Sequence, residues 1–307
     1  GGGVTRHFRT LLDLEREELR DILDRADHLR AARGTPAGLA DKPLLGKSVA
    51  VVFEKASTRT RISFEVGIHE LGAQPVVLIA SDTQMGRGEP LSDTAKMFSR
   101  FVHGVAYRTF GHDKIEALAA ASSVPIINAL SDDYHPCQLL ADLQCVRAEK
   151  GRLDGLRVAW VGDGNNMAHS WINAAVLTGL SLRLACPAGY QPKAAILAHA
   201  RALGADITLT EDPKEARAGV DVVTTDVWTS MGQEAETQDR LRAFSGYLVD
   251  AAAMRLAQPD AIFLHCLPAH RGEEVSAEVI DGPQSRVWDE AENRLHAQKA
   301  LLVHLLG

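Results

Sequence analysis

The chain has 307 residues, of which 46% are hydrophobic and 24% charged, a composition typical of a globular protein with about two domains. Lys and Arg number 33 against 40 Asp and Glu, so the net charge of −7 provides no overall basic surface for nucleic acid. Apolar runs fall short of the about 20 residues that span a bilayer, and the first residues lack the apolar core of a secretory signal, so we expect a cytoplasmic protein with no membrane partner.

The first half of the chain alternates strand-like and helix-like patterns. An amphipathic helix is predicted between residues 13 and 33, because apolar residues recur there at three-and-four spacing. Four apolar runs typical of buried strands then alternate with helical stretches, at 48–53, 75–80, 104–108 and 124–128. This alternation predicts a parallel sheet covered by helices on both faces.

A helical stretch over 136–150 predicts a link between two halves, and the alternation then starts again. Apolar runs at 156–161, 181–185, 206–209, 220–225 and 261–266 predict a second parallel sheet, followed by a final helix over 289–306. The sequence thus predicts an α/β protein of two doubly wound parallel-sheet domains linked by helices. The predicted domains are 1–148, joined by the C-terminal helix at about 290–307, and 149–289.

Hydroxyl and guanidinium side chains follow the first predicted strand, in the run from Ser57 to Arg61. A helix start offers unpaired N–H groups and the positive end of the helix dipole, and the arginine fork matches the oxygens of a phosphate. These residues therefore predict an anion site. The alternative is an ordinary helix cap beside solvated arginines.

A second candidate group lies where the strand 124–128 gives way to a helix. Pro136 suits the first helical position, so His135 precedes the helix, and Gln138 and Asp142 share its face. Arg108 ends the strand 104–108 at the same carboxyl edge of the predicted sheet, where ligands bind in such folds. Each of these residues taken alone is more often structural.

In the second half, Asp226, Ser230 and Met231 follow one predicted strand and Cys266 ends another. A carboxylate, a hydroxyl and a thiol at one sheet edge suit a small ligand that carries an amino group. The alternative for Cys266 is an inert core thiol, and the four cysteines lack the CxxC spacing of a zinc or dithiol site.

A glycine pair, Gly162 and Gly164, follows a strand and opens a helix, as in dinucleotide-binding turns. The third glycine of that pattern is replaced, and no acidic residue clearly ends the next strand. A nicotinamide-dependent dehydrogenase is therefore a weakly supported alternative.

Three stretches resemble one enzyme family. Residues 53–61, FEKASTRTR, are similar to the carbamoyl-phosphate signature of the aspartate and ornithine carbamoyltransferases. Residues 226–232, DVWTSMG, and 265–268, HCLP, resemble the ornithine branch, and the resemblance runs in order from about Arg6 to the final helix. It implies transfer of the carbamoyl group of carbamoyl phosphate to the δ-amine of L-ornithine, giving L-citrulline and phosphate, in arginine biosynthesis or, in reverse, in its degradation.

The resemblance also implies roles for individual residues. The catalytic ones would be Cys266, Arg108 and His135, and no metal or cofactor is required. Ornithine would be bound by Asn166, Asp226, Ser230 and Met231. Carbamoyl phosphate would be bound by Ser57, Thr58, Arg59, Thr60, Gln84, Arg108, His135, Gln138, Cys266, Leu267 and Arg294.

The family's basic assembly implies a homotrimer, in which the loop around Gln84 reaches into the neighbouring subunit's site. Gln84 stands where some members have His, and Cys145 stands where a Thr is common. The alternatives are a carbamoyltransferase for another amine, such as putrescine or N-acetylornithine, and a non-catalytic protein that binds carbamoyl phosphate.

Overall fold

The structure of the chain is a computed structural model that describes residues 4–230 and 233–307. The chain forms two compact units: unit 1 comprises Gly1–Gln144 and Glu292–Gly307, and unit 2 comprises Cys145–Ala291. Both divisions fall inside helices, so the chain passes between the units twice within continuous helical segments. None of the described helices combines the length and the apolarity that crossing a membrane requires.

Unit 1 is built on a four-stranded parallel sheet in the order β2-β1-β3-β4. Its strands are β1 (Ser48–Phe53), β2 (Gln74–Ile79), β3 (Gly104–Arg108) and β4 (Ile126–Leu130). Its helices are α1 (Arg16–Ala32), α2 (Pro36–Ala40), α3 (Thr58–Glu70), α4 (Leu91–Phe101), α5 (His112–Ala121) and the first part of α6 (Pro136–Lys150).

Unit 2 contains a five-stranded parallel sheet in the order β7-β6-β5-β8-β9. Its strands are β5 (Arg157–Val161), β6 (Ser181–Ala185), β7 (Asp206–Thr210), β8 (Val222–Thr225) and β9 (Ile262–His265). Its helices include α7 (Asn166–Thr178), α8 (Ala194–Ala202), α9 (Pro213–Arg217), α10 (Thr237–Ala243), α11 (Ala251–Arg255) and α12 (Ala277–Ile280). The last helix, α13 (Val287–Leu306), begins in unit 2 and ends in unit 1. The predicted fold class is confirmed.

The apolar runs become strands because they can be buried on both faces. In unit 1, β1, β3 and β4 are buried along nearly their whole length, whereas β2 at the sheet edge is partly exposed. Phe98, Tyr107 and Ile115 belong to the core between the sheet and its helices. A second core in unit 2 contains Phe244 and Phe263.

Two predicted strands begin two residues too early, and the first of them also ends at 128 rather than at Leu130. The other strand boundaries differ by at most one residue, so Cys266 follows β9 rather than ending it. The fourth strand begins at Ile126 rather than 124, after Pro125, which has no N–H to donate to a sheet. The eighth strand begins at Val222 rather than 220, because the N–H of Val220 closes a turn onto the carbonyl of Arg217.

Each sheet has one point where the strand order reverses. In unit 1 the reversal lies between β1 and β3, and in unit 2 it lies between β5 and β8. At such a point the connections that follow two neighbouring parallel strands go to opposite sides, which opens a crevice at the carboxyl ends of the strands, where ligands of open α/β sheets bind. The segments that follow these four strands are therefore where a site is expected.

Candidate active site

The first turn of α3 presents backbone and side-chain donors after β1. Ser57 caps the helix, since its Oγ accepts the N–H of Thr60 at 3.3 Å. Arg59 is exposed, and no ion pair or hydrogen bond engages its guanidinium within residues 4–230 and 233–307. The guanidinium of Arg61, by contrast, pairs with Glu65 at 3.5 Å. Arg59 is thus the cation of this turn that remains available to an anionic ligand.

Glu54 anchors the loop that leads into α3. Its carboxylate accepts hydrogen bonds from the hydroxyls of Tyr107 and Thr109 and from Lys114 Nζ, the last at 3.1 Å. Burial acts to raise the pKa of Glu54, but these donors outweigh it and the pKa is lowered. An ionised carboxylate therefore ties the loop to β3 and α5.

Thr60 lies at the centre of a buried network in unit 1. Its Oγ1 accepts from Arg294 Nη2 at 3.1 Å and from Arg108 Nη1 at 3.3 Å. Arg294, which lies on α13, also donates to Gln138 Oε1 at 2.9 Å, and the Gln138 amide donates to Asp142 at 2.9 Å. Two guanidiniums are thereby fixed within reach of one hydroxyl, next to the α3 N-terminus.

His135 directly precedes α6 and is only 6% exposed. Burial lowers its pKa well below the usual value, and the positive charges of Arg294, Arg108 and Lys55 lower it further. The imidazole is therefore neutral at pH 7. A neutral ring can donate a hydrogen bond to a carbonyl oxygen without adding a charge to an already cationic site.

We expect the His135 imidazole to keep the NMR signature of a neutral ring from pH 8 to pH 6, with the resonance assigned by its loss in His135→Gln. An unfolded histidine has a pKa of about 6.5, so the folded chain binds fewer protons at this ring than the unfolded one. Its contribution to stability is present at neutral pH and is lost as the pH falls below about 6.5. A midpoint at or above pH 6.5 would contradict this prediction.

Asp226 follows β8 and is 9% exposed. Its Oδ2 accepts from Asn165 Nδ2 at 3.0 Å, its Oδ1 accepts from the Val227 N–H at 2.7 Å, and the Cys266 thiol donates to the carboxylate. Burial raises the pKa of Asp226, while nearby His265 and these donors act in the opposite direction. A buried carboxylate at this sheet edge offers a counter-charge for a cationic ligand group.

The half-buried Cys266 is held in place through both of its neighbours. The N–H of His265 donates to Glu290 at 2.9 Å, and the N–H of Leu267 donates to His265 Nδ1 at 2.8 Å. The opposite ring nitrogen, Nε2, therefore carries the proton and donates to Glu274 at 2.7 Å. Leu267 has φ of 62°, a left-handed conformation that is costly for a residue with a side chain and concentrates at functional sites.

The other predicted site residues occupy the following places. Asn166 is the first residue of α7 and is half-buried, as is Ser230 in the segment after β8. Thr58 is exposed on the first turn of α3, and Gln84 is exposed in a short 3₁₀ turn after β2. Met231 lies outside the described residues.

Three buried or half-buried polar groups at these sites were not predicted from the sequence. Glu54 was a detectable signal, because it is the carboxylate within the 53–61 stretch, and Asn165 directly precedes the predicted Asn166. Glu274 gave no local signal, because its pairing with His265 across nine positions depends on the tertiary fold.

The glycines of the β5–α7 turn are required by packing. A Cβ on Gly164 would lie 2.2 Å from the backbone nitrogen of Pro192, and a Cβ on Gly162 would lie 3.0 Å from Thr225 Oγ1. The N–H of Gly164 also donates to the carbonyl of Tyr190 at 2.8 Å. Close packing against the Pro192 backbone and the Thr225 side chain explains the pair without a dinucleotide.

Comparison with known proteins gives the family. Residues 6–148 match the carbamoyl-P binding domain of the aspartate/ornithine carbamoyltransferases, and residues 154–305 match their Asp/Orn binding domain. The ornithine carbamoyltransferase of Pelobacter propionicus is 53% identical over 306 residues, 99% of each chain, and that of Acidothermus cellulolyticus is 55% identical over 308 residues, 99% of this chain and 97% of the relative. The solved ornithine carbamoyltransferase of Pyrococcus furiosus superimposes with a TM-score of 0.93 at 43% identity, covering 100% of this chain and 99% of that one. As the resemblance predicted, the chain belongs to the aspartate/ornithine carbamoyltransferase family.

Proposed function

We propose that this chain transfers the carbamoyl group of carbamoyl phosphate to the δ-amine of L-ornithine, giving L-citrulline and phosphate. Two features of this one family member support the proposal: two guanidiniums meet at Thr60 beside the α3 N-terminus in unit 1, and a buried carboxylate accepts a hydrogen bond from a thiol in unit 2. Relatives named ornithine carbamoyltransferase that match along 99% of the chain support the choice of acceptor.

Carbamoyl phosphate is proposed to bind mainly in unit 1. The α3 N-terminus and Arg59 would take the phosphate, where backbone N–H groups and a free guanidinium match its oxygens. Ser57, Thr58, Thr60 and Arg294 complete this proposed phosphate site, together with Gln84 from a neighbouring subunit.

The carbamoyl carbonyl is proposed to lie against Arg108, His135 and Gln138, with Cys266 and Leu267 lining the reacting end. Attack on the carbamoyl carbon places negative charge on this oxygen, so donors fixed before the reaction stabilise the transition state more than the substrate. The network around Thr60 supports this role, because it holds Arg108 and Gln138 in place.

Ornithine is proposed to bind in unit 2, with its α-ammonium on Asp226 and with Asn166, Ser230 and Met231 around it. A free alkylamine has a pKa of about 10.4, so only on the order of one δ-amine in a thousand is neutral near pH 7. The site must select that form. One buried carboxylate can neutralise the α-ammonium, which leaves the δ-amine to lose its proton.

In the reaction, the lone pair of the neutral δ-amine forms a C–N bond with the carbamoyl carbon, and the C–O bond to phosphate then breaks. The amine gives up one proton, and the departing phosphate takes one up, so the step balances without another reactant. We propose that the Cys266 thiol, bonded to Asp226, helps to move this proton.

We expect Cys266→Ser to lower kcat by roughly 10²-fold, the lower end of what a positioned acid or base contributes, and to change the pH profile of kcat. Cys145→Ala is the control, because Cys145 is a buried thiol on α6 outside the proposed site. The measurement is citrulline formation from pH 6 to pH 10. An unchanged profile for Cys266→Ser would remove the proton-transfer role.

We further propose a homotrimer in which Gln84 completes a neighbouring subunit's site. Unit 1 leaves apolar side chains exposed on β2 and α4, among them Val76, Ile79 and Met97, with Phe101 75% exposed. An apolar surface of this kind favours contact with another copy of the chain. Light scattering at several concentrations measures the mass, and a monomeric mass throughout would contradict the assembly.

The decisive experiment is citrulline formation with ornithine, set against aspartate, putrescine and N-acetylornithine as parallel acceptors. Turnover with ornithine alone is the expected result, and turnover with another amine would overturn the assignment of Asp226 and Ser230. An absence of activity with all four acceptors would favour a protein that binds carbamoyl phosphate without catalysis. We also propose a cytoplasmic role in arginine biosynthesis, or in its reverse, in keeping with four cysteines that form no disulfide within the described residues.

A further inference from the structure

We infer that Arg240 is a positioning residue of the ornithine half-site: its guanidinium ties the segment that carries Asp226 and Ser230 to the turn that carries Asn166. The inference deepens the proposed function and rests on it. Arg240 lies on α10, and it belongs to neither set of residues assigned above to the substrates.

The guanidinium is held by several groups of unit 2 at once. Arg240 Nη1 donates to Asp163 Oδ2 at 3.0 Å and to the carbonyl oxygen of Trp228 at 2.9 Å, while Nε donates to Glu236 at 3.1 Å. Its Cζ lies 4.9 Å from the centre of the Tyr190 ring. Arg240 is 7% exposed and Asp163 is 6% exposed, so this ion pair is shielded from water.

The two groups that Arg240 joins stand beside the proposed ornithine ligands. Trp228 lies midway between Asp226 and Ser230 in the sequence. Asp163 lies in the β5–α7 turn, and its carbonyl accepts the N–H of Asn165 at 2.9 Å. The Asn165 side chain in turn donates to Asp226, so the turn and the segment are connected twice, once directly and once through Arg240.

The Asp163 carboxylate depends on the Arg240 guanidinium to stay ionised in its buried position. Burial raises the pKa of Asp163 to about 6, and the Arg240 charge and hydrogen bond act against that rise. Without the guanidinium, a buried carboxylate would take up a proton or turn toward water, because an unpaired buried charge is costly. Loss of the guanidinium releases the Trp228 carbonyl as well.

Arginine suits this position better than lysine. A planar guanidinium can donate to a carboxylate and to a carbonyl while one face lies over an aromatic ring. An ammonium keeps the charge and one or two of these bonds, but it loses the flat contact with Tyr190. Arg240→Lys should therefore retain part of the function that Arg240→Gln loses.

The test measures the KM of each substrate in the full-length enzyme. We expect Arg240→Gln to raise the KM for ornithine by about tenfold or more, since small misplacements of binding groups have effects of this order, and Arg240→Lys to raise it less. The KM for carbamoyl phosphate should stay within about twofold, because its proposed phosphate site is built in unit 1. Asp163→Asn should reproduce the same split.

The control is Arg242→Gln, two positions along α10, where an exposed guanidinium pairs with Asp239. It removes the same charge and should leave both KM values unchanged. A general loss of structure in Arg240→Gln would raise both KM values or lower kcat alone, and either pattern would overturn the inference.

If Arg240→Gln fails to fold, Arg240→Lys decides: a raised KM for ornithine alone supports the inference, and an unchanged KM overturns it. A wild-type enzyme without ornithine turnover would refute the proposed function itself. An active wild type with unaffected variants would refute only the role of Arg240.

Discussion

Arg59→Ala is expected to lower kcat/KM for carbamoyl phosphate by about 10²- to 10³-fold, or about 3–4 kcal/mol of transition-state stabilisation, the range found when one fixed donor to a developing charge is removed. Arg59 is exposed on the first turn of α3, and its guanidinium pairs with nothing in residues 4–230 and 233–307. Phosphate gains charge as the C–O bond breaks, so contacts to it strengthen along the reaction. Steady-state kinetics with saturating ornithine measures kcat/KM for carbamoyl phosphate in the variant and the wild type.

Arg61→Ala is the matched control for that prediction. Arg61 lies two positions along the same helix and is exposed, but its guanidinium pairs with Glu65 at 3.5 Å. Both variants remove one positive charge, so a long-range effect of charge would lower both activities equally. We expect Arg61→Ala to stay within about threefold of wild type, as is usual for a surface pair. Equal losses in the two variants, or near-normal turnover of Arg59→Ala, would remove Arg59 from the phosphate site.

The sequence predicted the fold well where burial imposes a pattern. The first and third strands were predicted with the bounds that the structure has, because a fully buried strand is a continuous apolar run between turn signals. The short helices α9 to α12 were not predicted. Helices of four to seven residues span at most two turns, which is too short for a helical period to be recognised, and their stability comes from tertiary packing.

The candidate site likewise contains residues that a local sequence pattern predicts and residues whose role depends on the tertiary fold. Ser57 and Arg59 could be selected locally, because a helix start with hydroxyls and a guanidinium has a chemical meaning of its own. Arg294 could not, since it reaches Thr60 across 234 positions, and only the family resemblance pointed to it. Arg240 lies on one of the unpredicted helices, and neither local pattern nor resemblance indicated it.

Strand order explains why both candidate sites stand where they do. The α3 turn and Arg108 follow β1 and β3, and the Asn165 turn and Asp226 follow β5 and β8. Each pair flanks the reversal in its own sheet. The alternation of runs predicts that such edges exist, but the order of strands, and therefore which edges are neighbours, is fixed only in the folded sheet.

Asp226→Asn is expected to raise the KM for ornithine by roughly 10²-fold, about 2–3 kcal/mol for a lost charge-assisted contact, while the KM for carbamoyl phosphate stays unchanged. The substitution keeps the size and shape of the side chain, removes its charge and replaces one of its two acceptor oxygens by an NH2 donor. Asp206→Asn is the control, because that exposed carboxylate lies at the amino end of β7 in the same sheet.

Two further measurements, the preference between acceptors and the pH dependence of ornithine affinity, test whether Asp226 binds the α-ammonium. N-acetylornithine lacks that charge, so Asp226→Asn should lower the preference for ornithine over N-acetylornithine rather than reduce turnover of both alike. Burial raises the pKa of Asp226, so in the wild type the carboxyl is protonated, and its hold on an ammonium lost, at a higher pH than for an exposed aspartate. The ratio of wild-type to variant ornithine affinity should therefore fall as the pH is lowered, since the variant has no carboxyl to protonate. A ratio that is constant with pH, or a preference that the variant retains, would place the α-ammonium elsewhere.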